Sequence, residues 1–196
     1  MKVVIHQPEH FPYMGFFQKM KEADLFVILD NVKFKKNYFQ NRNKYLSKQG
    51  KEEWFGVAVP KKSNSMLIKD IELVDDKINP WRKKVIQRVK HNLGVDLTHF
   101  YNSTNLCDVN VKGIEWIREV LKIDVPMIKA SEVLCSGKST DLLVSICKNV
   151  GASTYLSGQM GKDYLDLEKF GDTKVEFFEP KVQNNYSCLY NLREIL

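Results

Sequence analysis

Two apolar runs near the amino terminus, Lys2–Ile5 (KVVI) and Leu25–Leu29 (LFVIL), constrain this chain more than anything else in it. Each is short and β-branched and stops at polar residues, as the buried strands of a parallel sheet do. The first ends at His6-Gln7-Pro8, where proline has no N–H to give to a sheet ladder. Pro12 then stands where a helix can begin, because its fixed φ suits a first helical turn. The helix expected from Pro12 to about Glu22 puts Phe16, Phe17 and Met20 on one side. Strand, helix, strand implies a right-handed parallel crossover. His6-Gln7 and Asp30 then emerge on one sheet edge and face one crevice, where ligands of open α/β sheets bind.

Downstream, the pattern predicts strands at Trp54–Val59, Leu67–Val74, Pro126–Ala130, Thr154–Leu156 and Lys174–Phe178, with Leu67–Val74 antiparallel to its predecessor. It predicts helices from Asn79-Pro80-Trp81 to about Asn92, with Asn79 as N-cap, and over Asn110–Lys122 and Ser139–Val150. A further helix is expected to start at Tyr164-Leu165. Gly151 suits the left-handed residue that closes the Ser139–Val150 helix. The expected architecture is a three-layer, Rossmann-like α/β domain over 1–180: a mostly parallel sheet with helices on both faces, a β/loop insertion at about 33–75, and a tail at 181–196.

At 196 residues the chain has room for a proper core. No apolar run is long enough to span a bilayer, and Lys2–Ile5 is broken too soon for a signal peptide, so a cytoplasmic protein without membrane insertion is expected. Cys107, Cys135, Cys147 and Cys188 form no CxxC pair, which points to reduced thiols and no built-in metal. The formal net charge of +6 favours an anionic small molecule, a nucleotide or nucleotide-sugar, over nucleic acid, for which no signature is present. Homo-oligomerisation is left open. Walker, dinucleotide-binding, nucleophile-elbow and HExxH motifs are absent.

His6 is the candidate general base, with Asp30 to orient it or the sugar. Gln7, His10 and Gly15 belong to the same turn and helix start. In the basic, aromatic stretch Lys33–Asn43, Lys35 and Arg42 suit phosphate, and Asn41 and Asn43 suit hydroxyls or the turn itself. Lys61 follows a strand end and also suits phosphate. Ser157, Gly158 and Gln159 lie in a second strand-end loop whose backbone amides can hold an anion, with Tyr164 just beyond.

Four segments, HQPEHFPYMGFF, DLFVILDNVKFKKNYFQNRN, WFGVAVPKK and TYLSGQMGKDYL, resemble the WbqC-like protein family, from Val3 to about Pro180. That resemblance implies a role in bacterial surface-polysaccharide (O-antigen) biosynthesis, read here as an N-acyl or aminoacyl transferase acting on a nucleotide-linked amino sugar. The opening unit is also similar, more distantly, to nucleotidyltransferases of the HIGH-motif superfamily, although Phe16 stands where those proteins have a histidine. That similarity implies one alternative, an ATP-using nucleotidyltransferase or adenylate-forming enzyme; a non-catalytic sugar-nucleotide-binding protein is a separate one.

Overall fold

The computed structural model describes residues 1–196. The chain divides into two compact units, each assembled from three segments. The first comprises 1–7, 15–30 and 122–181. The second comprises 8–14, 31–121 and 182–196, and so takes in the expected insertion and nearly all of the expected tail.

The first unit is built on five parallel strands: β1 (Lys2–His6), β2 (Leu25–Ile28), β5 (Met127–Lys129), β6 (Thr154–Gly158) and β7 (Lys174–Phe178). Their spatial order is β5-β2-β1-β6-β7. All four pairings are parallel, with His6 opposite Ile28 in β2 and Gly158 opposite Phe178 in β7. The central strands are continuous apolar runs because both of their faces are covered; Val3, Val4, Phe26 and Val27 have no exposed surface. Helices α1 (Met14–Lys21) and α4 (Thr140–Asn149) flank the sheet. The connection β1-α1-β2 moves toward one sheet edge and β5-α4-β6 moves back, so the right-handed rule assigns the two helices to opposite faces. This is the expected Rossmann-like layering.

The second unit contains an antiparallel hairpin, β3 (Arg42–Leu46) and β4 (Glu52–Gly56), with α2 (Trp81–Leu93), α3 (Leu106–Val120) and α5 (Cys188–Leu192). Phe11, Tyr45, Phe55, Ile68, Ile71, Leu97 and Tyr101 are almost wholly enclosed there.

Several local expectations need correction. Leu67–Val74 is not a strand: a 3-10 turn at Ile68–Asp70 interrupts it, and the amides of Ile68, Leu73 and Val74 reach the carbonyls of Val32, Thr104 and Ala58 without building a ladder. Asn79 does not cap α2; the residue before the helix is Pro80, without a side-chain cap. The helix expected over Asn110–Lys122 spans Leu106–Val120, and Asn105 caps it, its side chain accepting from the amides of Cys107 and Asp108. No helix starts at Tyr164; 3-10 turns at Gln159–Asp163 and Leu167–Phe170 connect β6 to β7 instead. No helix is long and apolar enough to cross a membrane.

Candidate functional site

The chain runs from β1 outward to β2 and β5, then reverses to β6 and β7, so strand order switches between β1 and β6. A crevice outside the carboxyl ends of the strands belongs at that switch point. The sequence reading used the ends of the first two strands; the strand ends flanking the switch point carry His6-Gln7 and Ser157-Gly158.

His6 closes β1 and keeps only part of its surface open. Its ring packs edge-on against Phe16, with centroids 4.9 Å apart, and Nδ1 lies 3.1 Å from the Gln7 carbonyl. A carbonyl only accepts, so Nδ1 carries the proton and Nε2 keeps its lone pair, with no donor from the protein. Burial, and then the positive charge of Lys19, hold the imidazole pKa down at about 3, against an ordinary 6.5. The ring is therefore neutral, and an acceptor, across the physiological range.

Lys19 is the residue that sequence reading missed. It is 5% exposed, on α1. A Cβ placed on Gly158 would stand 3.7 Å from its Nζ, so the ammonium lies over the end of β6 while acting electrostatically on His6. Its signal was available: Lys19 follows Phe16 by three residues and precedes Met20 by one, which puts a cation on the inward stripe of the helix.

Ser157 is buried, and its hydroxyl donates to the Gly158 carbonyl at 3.2 Å. Gly161 folds back so closely that a Cβ there would meet Ser157 Oγ at 2.2 Å. Gln159 opens this turn, and Tyr164, 57% exposed, closes it. Gly15 is buried in the first turn of α1.

Asp30 is 1% exposed and does not contact His6. Ser131 occupies it, donating its amide at 2.9 Å and its hydroxyl at 2.6 Å. Asp30 therefore ties the end of β2 to the segment after β5, and both of its carboxylate oxygens accept from Ser131. A depression of about 470 Å³ lies on the solvent flank of α4, lined by Ser136, Asp141, Lys148 and Lys169 among others. Lys169 and Asp141 neutralise each other there at 2.9 Å, and no histidine or cysteine lines it.

The remaining sequence candidates belong to the second unit. His10 has no exposed surface. Asn110 donates its amide hydrogens to the Pro8 and Gln40 carbonyls at 2.9 and 2.6 Å, so its Oδ1 must accept from His10 Nδ1 at 3.0 Å. His10 Nε2 then accepts from the Tyr101 hydroxyl at 2.9 Å. Both nitrogens are used, and burial holds the pKa at about 4. The geometry makes His10 the hub of a buried network, with no atom left for a ligand. Asn43, 1% exposed, donates to the carbonyls of His10 and Phe11 at 3.2 and 2.9 Å, which fixes the turn and leaves its amide no hydroxyl to read. Asn41 donates to the Val57 carbonyl at 3.2 Å. Arg42 stacks over Trp54, its guanidinium carbon 4.4 Å from the ring centroid, and donates to the Asn37 carbonyl at 3.0 Å. Lys35 and Lys61 are exposed. No group of three or more His, Cys, Asp or Glu side chains is placed to hold a metal ion.

A model of the WbqC-like protein family matches residues 7–192. The chain belongs to the WbqC-like protein family. One relative, from Mycobacterium tuberculosis (strain ATCC 25618 / H37Rv) and named "Uncharacterized protein Rv1507c", is 24% identical over 204 residues, covering 96% of this chain and 87% of its own. No solved structure matches the chain. In this WbqC-like protein, then, the switch point brings together an imidazole acceptor, a nearly buried cation and a tight serine-glycine turn. Such a set can hold an anionic group and orient a donor N–H beside it.

Proposed function

We propose that this WbqC-like protein is a cytoplasmic transferase of surface-polysaccharide (O-antigen) biosynthesis, adding an acyl or aminoacyl group to a nucleotide-linked amino sugar. The supporting observation is the pairing, at the β1–β6 switch point, of the open Nε2 of His6 with the ammonium of Lys19. The cation suits a phosphate of the sugar nucleotide. The imidazole accepts a hydrogen bond from the sugar amine. As the amine lone pair forms the C–N bond at the acyl carbon, the leaving group departs with its electron pair and the amine proton passes to Nε2. An imidazole this weakly basic takes that proton late, once the new bond has made the nitrogen acidic. A phosphate beside Lys19 offsets the lysine charge, the lesser cause of the depression after burial. Ser157 to Gln159 line the same edge. The polysaccharide setting comes from the family resemblance; the amine and anion chemistry comes from the residues.

The test combines thermal shift with mass spectrometry on the whole chain. Uridine- and thymidine-linked amino sugars are expected to stabilise it, by about 2.7 kcal/mol at a hundredfold the Kd. With an acyl thioester present, an amide product is expected, lost in His6→Ala while binding persists. Stabilisation by ATP alone would support nucleotidyl transfer instead. Tight binding with no product from any donor would support a non-catalytic sugar-nucleotide-binding protein.

A further inference from the structure

The β3–β4 hairpin has two unlike faces. Asn43, Tyr45 and Phe55 point into the second unit and are at most 2% exposed. Arg42, Lys44 and Trp54 occupy the other face, where Lys44 stands directly across from Trp54. That face is open only at Trp54, which is 39% exposed; the Lys44 side chain is 17% exposed. Phe39 extends the surface, stacked at 6.2 Å from the indole, and Lys35 lies 4.6 Å from the centroid of the neighbouring Tyr38.

The two hairpin cations are not equivalent. Lys44 is neutralised by Glu52 at 2.9 Å. Arg42 has no acidic partner. Its Nη2 donates to the Asn37 carbonyl at 3.0 Å, while its Nε is buried with no acceptor at all. The Nε and adjoining Nη hydrogens of a guanidinium form one edge, spaced for the two oxygens of an oxyanion. Here a single neutral carbonyl, that of Asn37, occupies that edge, where an oxyanion would offer two oxygens.

We propose that the open face of the β3–β4 hairpin is a binding site for a nucleoside diphosphate, with the Arg42 edge taking a phosphate in place of the Asn37 carbonyl and the base stacking on Trp54. Phosphate is favoured over a lone carboxylate because the exposed Lys35 and Lys36 directly precede Asn37, the residue Arg42 bonds, and add charge to that loop. A flat ring is called for by the exposed indole, since stacking on an aromatic face needs no particular base. This site is independent of the proposed transfer reaction and of Lys19 and His6.

The test is a nuclear magnetic resonance titration of the full chain, following the indole N–H of Trp54, identified among the three tryptophans by Trp54→Phe. Uridine diphosphate is expected to move that resonance saturably, in the native chain and equally in Lys19→Met. Arg42→Gln is expected to weaken the response about tenfold or more, the equivalent of one charge-assisted hydrogen bond. Arg42→Lys, which keeps the charge but loses the fork, is expected to fall between. An indole that stays put in the native chain at millimolar uridine diphosphate overturns the proposal. So does an Arg42→Gln protein that titrates like the native one. Inorganic pyrophosphate binding as tightly as uridine diphosphate overturns the stacking role of Trp54. Loss of binding in Lys19→Met with Arg42→Gln unaffected would assign the ligand to the switch point and overturn the hairpin site.

Discussion

The side-chain amide of Asn43 donates to the Phe11 carbonyl at 2.9 Å, and Ser187, from the carboxyl-terminal segment, donates to the same oxygen at 2.8 Å. Phe11 needs both, because it is a bulky residue at φ 42, in a region such residues avoid. Asn43→Ala removes two donors from buried carbonyls and is expected to destabilise the protein by about 2–4 kcal/mol. Ser187→Ala is expected to lose about 1–2 kcal/mol, since Asn43 still serves the same oxygen. Urea unfolding followed by circular dichroism measures both; an Asn43→Ala protein as stable as the native one would contradict the clamp.

Acid should weaken the fold through its two buried histidines. His6 and His10 have folded-state pKa values lowered to about 3 and about 4 from an ordinary 6.5. The unfolded chain therefore binds more protons between these limits, so stability is full above about pH 6.5 and falls as pH drops toward 4 and then 3. Replacing His10 by Gln is expected to flatten the part of that dependence above pH 4, whatever its effect at neutral pH. Unfolding midpoints at pH 7.5, 5.5 and 4.5 provide the comparison. Unchanged midpoints in the native protein would contradict the burial argument.

Lys19→Met tests the electrostatic link at the switch point. Burial is the larger cause of the His6 shift and Lys19 the second. Removing the charge is therefore expected to raise the His6 pKa while leaving it below 6.5. The imidazole carbon protons, followed by nuclear magnetic resonance between pH 3 and 8, report this directly. A His6 that titrates identically in both proteins would separate the two residues.

Gly161→Ala is expected to distort the turn after β6, because the new methyl carbon would fall 2.2 Å from Ser157 Oγ. A cost of about 1–3 kcal/mol in stability is expected, as for other overpacked positions. Adding Ser157→Ala should recover part of it by removing the nearer atom. Only part returns, because the Ser157 Cβ would still lie at 3.2 Å. A double-mutant cycle on thermal unfolding measures the coupling.

Local patterns carried much of the first unit. The β-branched runs at β1 and β2 and the prolines between them are properties of neighbouring residues, and the parallel crossover followed from them. The first strand of the hairpin was hidden for a physical reason. Arg42–Leu46 does alternate, but its inward face carries Asn43 beside Tyr45, and a buried amide does not register as hydrophobic. Leu67–Val74 misled in the opposite sense, its aliphatic residues being buried at Ile68 and Ile71, three apart as a 3-10 turn requires.

By itself the sequence determined the class of fold and which strand ends bear polar residues, because both depend on spacing along the chain. Only the tertiary structure decided what those residues touch. Asp30 went to Ser131, His10 to Asn110 and Tyr101, and the switch point fell between β1 and β6. A side chain's partner is set by whichever polar group the packing of distant segments brings within about 3 Å, and no local periodicity encodes that distance.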